Sequence, residues 1–191
     1  MSNTYYDPWS NTLTKNGVEA DLVISAMQKC IRRGEEDKAL RMAYELYITS
    51  NFHEEKMWNR LLVISVEDIG FGDVTAPNFV YTMNQLRKEF PYGDGDRPIF
   101  FMHAIRYMCK CKKERSTDQI KNIIMKEFEK GYKVEIPDYA MDMHTIKGRE
   151  MGRDVFYFLN EASKVEPLWE EYDDSYRQQL IKMCEEEVNQ K

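Results

Sequence analysis

Trp58-Asn-Arg-Leu-Leu-Val-Ile-Ser-Val-Glu-Asp-Ile-Gly70 is the stretch that decides the fold. Trp58, Leu61, Leu62, Ser65 and Ile69 recur at helical spacing and predict one buried stripe. Gly70 ends the helix. Glu67 and Asp68 occupy its last turn, where the helix dipole disfavours negative charge. Their position calls for a cation. The candidates are an arginine such as Arg60 or Arg106 inside the bundle, or a neighbouring subunit. Acid–base use of the two carboxylates is the alternative.

The segments on either side read the same way. Leu22, Val23, Ala26, Met27, Cys30 and Ile31 form a stripe that Gly34 closes, and Ala39, Met42, Ala43, Leu46 and Tyr47 form the next. So short a connection predicts an antiparallel hairpin. Asn51 and Glu54 are the predicted start signal of the Trp58 helix. Asp73 to Pro77 is a turn opening a fourth helix through Phe79, Val80, Met83 and Leu86. Pro91, Gly93, Gly95 and Pro98 mark a breaker loop. The helix after it, Ile99 to about Cys109, is apolar on most sides and is expected at the centre of the bundle.

Ser116 with Gln119 reads as a capping box for a helix carrying Ile120, Ile123, Ile124 and Phe128, ended by Gly131. Residues 132–148 read as irregular, with Pro137 discouraging helix before it. Val155, Phe156, Leu159 and Ala162 suggest a further helix, and residues 173–188 a last one with Tyr176, Leu180, Met183 and Cys184 on its apolar side. Met27, Met42, Met57, Met83, Met102 and Met108 read as core filling. No alternating strand pattern occurs. The fold class is therefore all-α: a single-domain bundle of about seven to eight helices. Residues 1–16 form an N-terminal arm, whose Tyr5, Tyr6 and Trp9 are suited to pack back onto a helical domain over 17–191.

The chain has 191 residues, 42% hydrophobic and 31% charged, enough for one good-sized core. A net charge of -6 argues against a general nucleic-acid binder, which needs clustered cations. The longest apolar runs are too short to cross a bilayer, so no membrane partner is expected. The polar and aromatic Met1 to Ser10 segment does not read as a secretion signal. Cys30, Cys109, Cys111 and Cys184 read as reduced thiols of a cytoplasmic protein.

Two motifs carry a resemblance. Asp21-Leu-Val-Ile-Ser-Ala-Met-Gln-Lys-Cys-Ile-Arg-Arg33 is followed by Asp37-Lys-Ala-Leu40. Arg60-Leu-Leu-Val-Ile-Ser-Val-Glu-Asp-Ile-Gly70 is followed by Asp73 and Ala76-Pro77. Together they resemble the C-terminal helical region of the RarA/MgsA AAA+ ATPases, a family that includes the Werner-helicase-interacting ATPase, over residues 20–110. The resemblance implies a clamp-loader-collar-like domain in DNA replication or recombination. It also implies homo-oligomerisation, with the tetramer as the family's state. The chain departs from the family in carrying no Gly-x-x-x-x-Gly-Lys-Ser/Thr loop and no acidic Walker B strand. The expectation is thus a non-enzymatic domain without cofactor, either a fragment or free-standing, that could meet an AAA+ ATPase partner. Beyond about residue 115 the family's usual ending gives way to what looks like a variant tail.

Three further groups of residues are candidates. Asp142, His144, Lys147, Arg149 and Arg153 lie beside Gly148 and Gly152 in that tail. They read as an anion or nucleic-acid-backbone contact, as an internal hydrogen-bonded clasp, or as the centre of a small hydrolase or transferase. Lys110, Lys112, Lys113 and Arg115 read either as a solvated helix end favoured by the dipole or as a DNA-facing patch. His144 with Asp142, and Cys109-x-Cys111, lack the further ligands that a metal site needs, so no metal is expected. His103 is six residues before Cys109 and off its helical face, which argues against a cysteine nucleophile.

Overall fold

The structure is a computed structural model that describes residues 8–190. Among the described residues every regular element is helical, with a lone antiparallel bridge between Leu13 and Glu19. The contacts group the chain into two compact units, Met1–Lys130 and Gly131–Lys191. The sequence predicts one domain over 17–191. The division falls beside Gly131, whose φ of 89° ends a helix.

The first unit contains α1 (Ala20–Arg33), α2 (Glu36–Thr49), α3 (Asn51–Ile64), α4 (Ala76–Leu86), α5 (Pro98–Lys110) and α6 (Ser116–Glu129). Gly34 takes the left-handed conformation, and its N–H returns to the Cys30 and Ile31 carbonyls, so α2 folds back along α1. A side chain there would crowd the Cys109 carbonyl at 3.2 Å. One residue, Ser50, then separates α2 from α3. Its hydroxyl accepts from the His53 N–H and is the true cap, so the start signal lies one residue before the predicted Asn51. Glu54 is spent elsewhere.

α5 packs against α1, α2, α3 and α4, the central place its composition predicts. Phe101, Ala104, Ile105 and Met108 are fully buried on it, while Ile99 faces solvent. Met27, Met57 and Met108 are buried in this core, and Met42, Met83 and Met102 pack against it. Burying each large apolar side chain contributes about 1.5–3 kcal/mol.

The helix that opens this account does not end as a plain α-helix. It runs on as a π-turn over Ser65–Ile69, and Gly70 closes it at φ 52° by donating its N–H to the Ser65 carbonyl. Ser65, Asp68 and Ile69 remain buried through the turn, so the stripe from Trp58 continues to its end. Leu62 is only half-buried at its edge. α6 begins at the predicted Ser116, but no side chain caps it, and the Ser116 N–H donates to Glu114 rather than joining Gln119 in a capping box. The Ile120, Ile123 and Ile124 stripe stays about half exposed. In the arm, Trp9 is buried and stacks on Phe52 at 4.7 Å, as expected of a segment that packs back. Tyr5 and Tyr6 lie outside the described residues.

The second unit contains α7 (Ile146–Glu150), α8 (Val155–Tyr157), which continues as a π-turn over Phe158–Ala162, and α9 (Ser175–Asn189). α7 falls partly within the stretch expected to be irregular. α8 with its π-turn and α9 match the two predicted helices. Leu159 is buried, but Tyr176, Leu180 and Met183 of α9 are exposed, so the predicted apolar side of that helix is not covered.

Candidate functional site

The acidic pair at the end of α3 has two arginine partners, and neither is Arg60 or Arg106. Arg32, from the last turn of α1, contacts Asp68 through Nε at 2.5 Å and Glu67 at 3.5 Å. Arg115, just before α6, approaches Asp68 at 3.1 Å and Glu67 at 3.4 Å, and reaches Asp118 at 2.7 Å. Gln28 donates its side-chain N–H to both carboxylates at 3.0 Å. The hydrogen bond to Asp68 raises the Arg32 pKa above the usual guanidinium value. Arg106 pairs instead with Glu36, and Arg60 has neither hydrogen bond nor ion pair among the described residues. The cause of the difference is the π-turn. Within it Asp68 is buried against Arg32 of α1 and Arg115. The Glu114 N–H seals that packing by donating to the Asp68 carbonyl at 3.1 Å.

Asp68 is wholly buried and Glu67 mostly so. With cations on both sides they hold the end of α3, the end of α1 and the start of α6 together. Their lone pairs are already engaged by arginine and glutamine, an arrangement suited to fixing helices rather than to taking a proton from a substrate.

An apolar groove of about 440 Å³ opens beside this cluster, lined by Leu62, Val63, Val66, Glu67, Thr117, Asp118 and Lys121. A smaller one of about 190 Å³ adjoins it, sharing Val66 and Thr117 and adding Phe71, Val74 and Pro77. Phe71 is 75% exposed and Val74 69%. Phe71 stands between Gly70 and Gly72, where the backbone of Lys112 to Glu114 passes so close that a Cβ at Gly72 would lie 2.4 Å from the Lys112 carbonyl. Sequence reasoning missed Phe71 and Val74. The signal available was a bulky apolar residue between two glycines in a turn, together with Val63 and Val66 on the otherwise polar side of the helix.

The basic run splits. Lys113 donates to the Met108, Cys109 and Cys111 carbonyls at 2.8, 3.2 and 2.6 Å and so closes the C-terminus of α5. Lys110 and Lys112 are exposed.

In the second unit the tail residues form the internal clasp, one of the readings the sequence leaves open. The Asp142 carboxylate accepts the His144 N–H at 3.0 Å and meets its Nδ1 at 3.0 Å, which holds the carboxyl below its ordinary pKa. Thr145 caps α7 by accepting the Gly148 N–H at 2.9 Å. Arg149 donates to the Met143 carbonyl, and Arg153 to the Asp138 and Met141 carbonyls and the Asp138 carboxylate. The Arg153 bond lowers the Asp138 pKa, and its guanidinium lies 4.1 Å from the Tyr157 ring centre. Lys147 faces Glu150 at 3.8 Å. Both arginines expected to grip an anion are thus turned onto their own loop.

The four cysteines are free thiols. Burial pushes Cys109 up to about 11 and raises Cys30 and Cys111, which keeps them protonated and unreactive at neutral pH. His103 packs against Phe79, away from any of them. Among the described residues no three His, Cys, Asp or Glu side chains converge as metal ligands, and no helix is long and apolar enough to cross a membrane.

Sequence reasoning also missed a buried charge network. Glu54 and Arg87 are fully buried and paired at 3.3 Å, Arg97 reaches Glu54 at 3.0 Å, and Arg87 reaches Glu55 at 2.6 Å. The only prior signal was Glu54 itself, which also fits a helix cap. No protein-family model matches the chain, and no curated protein matches it either.

Proposed function

We propose that this chain is a non-catalytic helical assembly domain that associates with further copies of itself. The observation that carries the reading is the continuous apolar surface running from Leu62, Val63 and Val66 to Phe71 and Val74. Exposed apolar surface of this kind, rimmed by charges such as Glu67, Asp118 and Lys121, is characteristic of an association face. The ion cluster beneath it supports the reading, because it makes the face rigid before any partner arrives.

The resemblance to the RarA/MgsA C-terminal region, carried by the same end of α3, supports a tetramer and a place beside an AAA+ ATPase in DNA replication or recombination. Contact with DNA belongs to the same proposal. Lys110 and Lys112 are the cations of the basic run left for it.

Light scattering over a range of concentrations tests self-association. The expected result is a mass several times that of one chain, falling to one chain in Val66→Glu and Phe71→Ser. Both positions are exposed enough to leave the core intact. A wild-type protein that stays monomeric at every concentration overturns the proposal, as does ATP turnover by the purified chain.

A further inference from the structure

Between α1 and α3 lies a polar notch of about 220 Å³ lined by Asp21, Ile24, Ser25, Gln28, Lys56 and Arg60. Lys56 and Arg60 stand one helical turn apart on α3, both half-buried. Like charges at that spacing repel each other. Every other buried or half-buried arginine described above meets a carboxylate or a carbonyl: Arg32, Arg87, Arg97, Arg115 and Arg153. Arg60 meets none. The described partner of Lys56 is the Trp9 ring, 5.0 Å from its Nζ.

The neighbours do not compensate this charge. Glu67 and Asp68 are already matched by Arg32 and Arg115. Asp21 is the one carboxylate lining the notch. It accepts the Leu22 N–H at 2.7 Å and forms no ion pair among the described residues, so the cations around the notch outnumber its anion. Ser25 accepts a hydrogen bond from Lys29 on its oxygen and keeps its own O–H to donate. The notch therefore offers a guanidinium, an ammonium and a hydroxyl, contributed by two helices. A carboxylate has two oxygens in one plane. A tetrahedral oxyanion can meet all three donors at once, with the guanidinium taking two of its oxygens.

We propose that this notch binds a phosphate group, with Arg60, Lys56 and Ser25 as its donors. A negatively charged phosphate ester matches this excess of positive charge, to which Lys29 beside Ser25 adds. The same oxyanion occurs in a small phosphate ester and in the backbone of a single-stranded nucleic acid, and the test separates them.

The test follows the Arg60 side-chain N–H and the backbone amides of residues 24–28 and 56–60 by NMR in the full chain. Inorganic phosphate, a nucleoside monophosphate and a short single-stranded oligonucleotide are titrated in turn, with chloride holding ionic strength constant. Saturable shifts confined to these residues are expected, with affinity about tenfold or more weaker in Arg60→Gln and in Lys56→Gln. Response to the small phosphates assigns a free ester, and response to the oligonucleotide alone assigns a nucleic-acid backbone. Arg60→Gln is expected to melt at the wild-type temperature, since no described contact is lost, so lost binding reports the site and not the fold. Shifts that never saturate, that chloride reproduces, or that persist in Arg60→Gln overturn the proposal. The outcome is independent of whether the chain self-associates.

Discussion

Arg97 donates its Nε–H to both oxygens of the Glu54 carboxylate, at 3.0 and 3.1 Å, across 43 residues of chain and with both side chains buried. Arg97 also donates to the Arg87 and Phe90 carbonyls, and the Arg87 guanidinium lies 5.6 Å from the Trp58 ring. The loop between α4 and α5 is thereby tied to the first turn of α3.

Removing Glu54 leaves two buried cations without their shared anion. Glu54→Ala is expected to cost about 3–5 kcal/mol of stability, the range for breaking a buried pair from one side. Glu54→Gln keeps an acceptor oxygen and should cost less. Urea unfolding of both variants measures this. Equal and small losses would show that the network adds little to the fold.

The end of α3 separates a buried partner from an exposed one. Arg115→Ala leaves the Asp68 carboxylate with Arg32 as its one described cation, beside the Gln28 amide, and is expected to destabilise by about 1–3 kcal/mol. Arg106→Ala loses only an exposed pair with Glu36 and should stay within about 0.5 kcal/mol of wild type. Thermal melts of the two variants side by side decide it, and a reversed order would mean that Arg106 is the true partner of the acidic pair.

Asp73 supplies the pH dependence. Its carboxylate accepts from the Tyr107 hydroxyl at 2.6 Å and from Thr75 at 2.7 Å, which lowers its pKa to about 2. The folded value lies below the unfolded one of about 3.9, so the contribution is complete above pH of about 4 and is lost as pH falls through about 2. Tyr107 moves the other way, to about 12, through burial and then the Asp73 bond. Its contribution is present below pH of about 10 and is lost as pH rises through about 12. Tyr107→Phe should return the Asp73 carboxyl toward its ordinary value in an NMR titration. The stability deficit of this variant should be present at neutral pH and shrink at both extremes. A deficit of constant size from acid to alkali would point to lost packing instead.

Gly148 lets α7 approach the Asp142 backbone. A Cβ there would sit 1.9 Å from the Asp142 carbonyl, whereas one at Gly152 meets nothing within 4 Å and is opposed only by a φ of 73°. Gly148→Ala must move backbone, at about 1–3 kcal/mol, and should speed hydrogen exchange across residues 138–153. Gly152→Ala should cost about 1 kcal/mol through its left-handed backbone and leave exchange at residues 142–148 unchanged. Identical exchange profiles for the two variants would remove the close approach as the reason for glycine at 148.

The sequence determined the elements. Helical periodicity placed α1 to α6, α8 with its π-turn and α9, Gly34 and Gly70 marked stops, and the apolar composition of α5 announced its central position, because burial demands a periodic face and a stop demands a special backbone. The carboxylates at the end of α3 declared a need for cations for the same local, electrostatic reason. Only the tertiary structure decided which cations. Arg32 and Arg115 come from 36 and 47 residues away, brought in by a π-turn that no local pattern announces. It likewise decided that Glu54 is a buried ion rather than a cap, that Arg149 and Arg153 turn inward, and that Arg60 meets no carboxylate among the described residues. A pairing between distant residues depends on how helices pack, and that information is held by the assembled core rather than by any single segment of chain.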